Sequence, residues 1–278
     1  MLERTAVLLR DFPVALFDAG RVPWSDVLRD YLLRGIGGAE QPYDVDDLAR
    51  SVRALDLVRV AATDAAEESP DVDRLDLVVP AEPDMAGDFA VLQGALDHAR
   101  SLALAGATLT PPMLPELVEL RDWICEEVMA QTAGAAPQPW RFTDRTDLHV
   151  EGDELEWDRA ILPPPDVSWI VGDDHNRIVA ASPAALALLG WNSGELVGQR
   201  LLAVIPDRLR EQHVAGFTRG VVNGEHRLLG VPLELPALTR DGREVPVTLT
   251  LQRHPARSGR AVFLARLEPR EEPAAPVV

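Results

Sequence analysis

The sequence predicts an α+β protein in two parts, a mainly helical first half and a second half of short strands with flanking helices. Three observations predict it. Apolar residues recur at helical spacing through the first half and at strand spacing, between turn signals, through the second. Charge is split: residues 1–163 carry 32 acidic residues against 14 arginines, a net −18, while residues 164–278 carry 13 against 13. The break falls at Pro163, Pro164 and Pro165, and 278 residues suffice for two modest domains that each bury a core. The boundaries read as an acidic, mainly helical regulatory domain over 1–133, a linker over 134–163, a strand-rich domain over 164–268 and a disordered tail over 269–278.

In the first half Pro23 can open a helix whose stripe is Trp24, Val27, Tyr31 and Leu32, with Gly37-Gly38 closing it. Asp44 can cap a second helix bearing Leu48, Val52, Leu55 and Ala62. Leu75 to Val79 reads as one short strand. A third helix from about Asp84 aligns Phe89, Leu92, Leu96 and Ala99. After Pro111-Pro112 a fourth carries Leu117, Leu120, Ile124 and Val128 as a narrow seam, which suits either a neighbouring helix of the same domain or a second chain.

In the second half Ser168–Val171 and Arg177–Ala181 flank the loop Gly172-Asp173-Asp174-His175-Asn176 as a hairpin. Ser182 caps and Pro183 opens a short helix ending at Gly190, and Asn192 with Glu195 resembles a capping box before Gly198. Pro206 opens a longer helix with Leu209, His213, Phe217 and Val221 on one face, stopped by Asn223-Gly224. Two strands meet at Asp241-Gly242, a type I′ signal, with Val245, Val247, Leu249 and Leu251 alternating. A last strand runs from Arg260 to Leu267 after Ser258-Gly259.

Two strands, three short helices, one longer helix and three strands is the order of a PAS domain, which the region from about Asp166 to Leu267 resembles. The residues that carry the likeness are Asp174, Arg177-Ile178-Val179, Ala184-Ala185, Leu189-Gly190-Trp191 and Glu195-Leu196-Val197-Gly198. It continues through Ile205-Pro206, Arg210, His213, Gly224, Leu229-Gly230, Arg240-Asp241-Gly242 and Val245-Pro246-Val247. The resemblance implies a five-stranded antiparallel sheet with helices over one face, around a small cavity used for ligands, cofactors or nothing. It implies sensing or partner binding, and homodimers, since PAS modules commonly pair. The first half more faintly resembles the regulatory region of actinobacterial PAS/phosphatase signalling proteins, through Leu8 to Pro13 and Leu114 to Trp123.

Within that implied fold, periodicity assigns a small, mostly apolar ligand pocket to Ile178, Ala185, Leu188, Leu189, His213, Phe217, Val221, Leu229, Leu249 and Phe263. The place of His213 matches the proximal haem histidine of oxygen-sensing PAS kinases. Those sensors also use an Arg in the strand after the Gly of Leu229-Gly230, and Val231-Pro232-Leu233 has none, so a packed, hydrogen-bonded histidine is the favoured reading. A flavin photosensor needs a reactive Cys, and none follows Cys125; a nonreactive flavin beside Trp169 or Trp191 stays open against simple packing.

Other chemistry finds little support. His98 lacks the acid that follows a phosphoacceptor and reads as a solvated helix residue; His149, His175, His226 and His254 lack metal-ligand spacing. Asp44, Asp46 and Asp47, and Asp71, Asp73 and Asp76, are clustered in sequence instead of converging from separate elements. The acidity opposes nucleic-acid and anionic-membrane binding. No apolar run of about 18 residues and no leader pattern occur, and Cys125 is alone, which predicts a cytoplasmic protein. The expected function is a non-catalytic sensor in which the PAS module binds a small ligand or a protein partner and regulates an effector in trans. The alternatives are a haem- or flavin-binding redox or gas sensor, and a regulatory subunit with kinase- or phosphatase-related activity.

Overall fold

Val7 and Leu9 alternate with more exposed neighbours, and in the computed structural model they face Val79 and Leu77 across an antiparallel pair, all four buried. The strands are β1 (Ala6–Pro13) and β2 (Arg74–Pro80). The structure describes residues 6–37, 42–69, 72–81, 84–105, 113–143, 155–221, 224 and 227–270, and the chain divides into two compact units, 1–143 and 144–278. Gly38, Asp71, Pro111, Pro112, His149, Asn223, His226 and residues 271–278 of the expected tail lie outside the described residues.

In the first unit, β2 is the strand expected from sequence, but β1 adds a partner that the pattern hides. A register shift between Leu9 and Phe12, with Asp11 at φ 56°, breaks the alternation. α1 (Val14–Ile36) begins nine residues before Pro23, which lies inside the helix. Burial of Leu16, Phe17 and Ala19 on the preceding turns outweighs the hydrogen bond that the proline forgoes. α2 (Val45–Glu68) is capped by Asp44, whose carboxylate accepts from the Asp47 amide at 2.8 Å. Its buried stripe is Leu48, Ser51, Ala54, Val58 and Ala62, and Val52 is 39% exposed, so the expected stripe is partly out of phase. α3 (Met85–Leu104) buries Phe89, Leu92, Leu96 and Ala99 as its period requires. His98 is half-buried instead of solvated, with Nδ1 3.1 Å from the Tyr31 hydroxyl.

α4 (Pro115–Thr132) turns its seam inward: Leu117, Leu120, Ile124 and Val128 are all buried within this unit, which removes the seam as a contact stripe for a second chain. The same helix closes the sheet. The Gln131 amide accepts from Leu8 N–H and donates to the Leu8 carbonyl, both at 2.9 Å, so it stands in for a neighbouring strand. Trp140 N–H donates to the Arg10 carbonyl at 2.9 Å and its indole packs 5.5 Å from Trp123.

The second unit is one antiparallel sheet in the order β4-β3-β7-β6-β5. Its elements are β3 (Trp169–Asp173), β4 (Ile178–Ala181), α5 (Pro183–Leu189), α6 (Ser193–Leu196), α7 (Asp207–Val221), β5 (Leu233–Leu238), β6 (Glu244–Pro255) and β7 (Ala261–Pro269), with a 3-10 turn at Leu201–Val204. Ser182 caps α5 as expected and also ties it to the sheet, because its hydroxyl accepts from both Ala185 and Trp169 amides at 3.0 Å. The Asn192 side chain donates to the Glu195 carboxylate, not the reverse backbone contact of a capping box. The β5–β6 connection is not type I′: Gly242 alone has positive φ, 83°, and follows a type I turn closed by its N–H to the Thr239 carbonyl. Pro236 faces Pro246 across the β5–β6 pair, and its missing N–H interrupts the free edge of β5.

One face of the sheet joins α5 and α6 in a core of Ile170, Ile178, Ala185, Leu189, Leu196, Ala237, Val247 and Leu267. The other face, centred on Trp169, Val171, Val262 and Leu264, is covered by Leu155, Trp157, Ile161 and Leu162. These four come from the 134–163 stretch, so the packed body begins at residue 155. A fragment of residues 155–270 is therefore expected to be more stable than one of residues 164–270 by roughly 3–5 kcal/mol, from four partly buried apolar side chains. Urea unfolding of the two fragments checks this; equal midpoints contradict it.

Candidate functional site

The loop between β3 and β4 positions the polar centre of the second unit. Asp173 is fully buried, and its Oδ1 accepts from the amides of His175 at 3.0 Å and Arg177 at 2.9 Å. Its Oδ2 accepts from Arg177 Nε at 3.2 Å and lies 3.6 Å from Arg260. That clamp holds Asn176 at φ 62°, a left-handed conformation that Asn tolerates better than most side chains. The Asn176 carbonyl accepts from Leu201 N–H at 2.8 Å, and its side-chain Oδ1 meets His213 Nε2 of α7 at 3.0 Å. Asn176 Nδ2 is buried with no partner among the described residues, so His213 is the anchor of this amide.

Pairing with a carbonyl oxygen requires the Nε2–H tautomer of a neutral imidazole. Burial first, and then the Arg200 guanidinium, push His213 down to about 4. His175 is lowered too, by burial and then by Arg260. The His213 ring packs 5.8 Å from Phe217, which packs 5.9 Å from Phe263 on β7.

The ten pocket candidates divide into two groups. Ile178, Ala185 and Leu189 are fully buried in the α5-side core, with Leu188 and Leu249 half-buried against it. His213, Phe217 and Phe263 form the ring stack, while Val221 is half-buried at the end of α7 and Leu229 bridges to Leu251. The candidates therefore pack in two groups, one in the α5-side core and one around the ring stack. Trp169 donates its indole N–H to the Pro163 carbonyl at 3.1 Å, on the opposite face, and Trp191 lies under Arg240 at 5.7 Å. Asn176, Asp173, Arg200 and Arg260 were not singled out from sequence; the signal for Asn176 was an Asn closing a hairpin loop, a position that favours positive φ.

The family model described as "PAS fold" matches residues 165–270. Those residues form a PAS domain. A stretch of 108 residues is 32% identical to an uncharacterized protein of Azorhizobium caulinodans, covering 38% of this chain and 15% of that protein. A stretch of 93 residues is 29% identical to the sensor protein FixL of Bradyrhizobium diazoefficiens, covering 34% of this chain and 18% of FixL. The chain thus spans under a fifth of the length of these relatives. Solved structures with the same fold description include a PAS domain from Desulfitobacterium hafniense (15% identity, TM-score 0.31, covering 38% of this chain and 93% of that one). The LOV protein of Rhodobacter sphaeroides matches at 17% identity and TM-score 0.33, covering 42% of this chain and 66% of that one.

The PAS interior as arranged does not fit haem. An axial histidine gives a nitrogen lone pair to iron, whereas His213 Nε2 is hydrogen-bonded to Asn176 and the Phe217 and Phe263 rings pack beside it. The acceptor for His213 is a side-chain amide carbonyl, which no local pattern reveals.

The unfolded chain takes up a proton at His213 near pH 6.5, which the folded PAS domain refuses until about pH 4. Stability is therefore full above pH 6.5 and falls as pH drops through that window, by about 3 kcal/mol from this residue. His213→Ala is expected to lower stability by about 1–3 kcal/mol near neutral pH and to flatten the acid loss. Thermal unfolding of both proteins across the window measures this; parallel pH curves contradict it.

Proposed function

We propose that this chain is a non-enzymatic signalling protein in which the PAS domain reports to a separate effector through protein contacts. The PAS domain supports a sensory role, and the name of the relative FixL, a sensor protein, agrees with it. The observation that carries the finer reading is the His213–Asn176 bond within a ring-packed interior, which commits this imidazole to structure. Among the described residues no cluster of His, Cys, Asp and Glu could hold a metal ion, and no described helix is long and apolar enough to cross a membrane. The acidic first unit, with 25 acidic residues against 12 arginines over 1–143, favours a basic or neutral partner.

Haem titration tests the reading directly. The purified protein is expected to give no shift of the haem Soret band and no flavin absorption; stoichiometric haem uptake that is lost in His213→Ala overturns the partner-reading PAS domain in favour of a gas sensor. We further propose a homodimer that pairs through surfaces other than the buried α4 seam. Light scattering at high micromolar concentration is expected to return twice the 30.4 kDa chain mass, and a persistent monomer contradicts it.

A further inference from the structure

The outer face of the PAS unit carries a groove of about 830 Å³ that is separate from the His213 interior. The segment Leu155–Arg159, Val197-Gly198, Val179, Pro255 and Ala256 line it. The segment is pinned in place. Trp157 bridges Ala256, and Arg257 N–H donates to the Glu156 carbonyl at 2.9 Å. The volume lies in the range of small-molecule sites.

The charges around this groove are nearly all committed. Arg257 is ion-paired with Glu156, and Arg177 donates to the buried Asp173. The Asp158 carboxylate accepts from Ala160 N–H and caps the 3-10 turn at Arg159–Ile161. Arg159 differs: among the described residues no carboxylate pairs with it, and its guanidinium carbon sits 5.9 Å from the centre of the Trp157 ring. One cation without an ion-pair partner beside an indole and an apolar wall matches a flat apolar body bearing one negative charge. Glu156 and Asp158 flank the same cation and oppose a dianion such as a phosphate monoester.

We propose that this groove binds a small aromatic monocarboxylate, with the ring against Trp157 and Val179 and the carboxylate on Arg159. The site does not depend on how the PAS interior is read, and its failure leaves the haem and partner tests untouched.

The test is calorimetric titration of the full chain with 2-naphthoate, paralleled by tryptophan fluorescence. Saturable 1:1 binding is expected, weakened roughly tenfold or more by Arg159→Gln, the loss of one charge-assisted contact. Because Arg159 is exposed, this variant is expected to keep the wild-type melting temperature. The uncharged 2-naphthamide is expected to bind as weakly to the wild type as naphthoate does to the variant, and Trp157→Leu is expected to weaken naphthoate as well. His213→Ala is expected to bind naphthoate normally. No saturable binding overturns the proposal, as does binding that survives Arg159→Gln or is lost in His213→Ala, since either places the ligand elsewhere.

Discussion

The PAS unit depends on a buried carboxylate. Asp173 has no exposure to water, so its charge is tolerable only while two amides and the Arg177 guanidinium satisfy it and Arg260 stands nearby. Arg260 is itself held by Asp174 at 2.6 Å, which fastens the entry of β7 to the turn between β3 and β4. Once that turn closes, Asn176 has no choice but the left-handed conformation, and its carbonyl and side chain fix the 3-10 turn at Leu201 and the helix α7. Sheet, connection and helix are thus assembled around the turn from Asp173 to Arg177.

The same turn touches both faces of the sheet. Arg177 and Ile178 line the outer groove, while Asn176, the residue before them, holds the interior histidine. The cost of an imidazolium at His213 comes from its burial and from the Arg200 guanidinium, since a charged ring would still donate Nε2–H to Asn176. In the first unit a polar side chain does comparable work by another route, since the Gln131 amide completes the edge of β1 while also donating to the buried Glu127 at 2.8 Å.

What could be read from sequence was local. Ser182 and Asp44 are caps because their oxygens serve amides three residues away, and the stripe of α3 follows from period alone. The order of strands and helices in the second half, and hence the fold, followed from such signals taken together. The misses are of two kinds. Pro23 and the bulge at Asp11 are local exceptions enforced by burial of Phe17, Leu9 and Phe12. The Asn176–His213 and Leu8–Gln131 bonds join residues 37 and 123 positions apart, and no spacing rule anticipates them. The pocket candidates were chosen as inward-facing positions, and such positions look alike in sequence whether they line a cavity or a core.

His213 is a neutral, Nε2-protonated group bound to Asn176. Nitrogen-15 NMR of the imidazole in the full chain, followed against pH, tests it most directly. A protonated Nε2 and an unprotonated Nδ1 are expected to persist down to about pH 4. An imidazole that titrates near pH 6.5, or one protonated at Nδ1 with a free Nε2 lone pair, would contradict it.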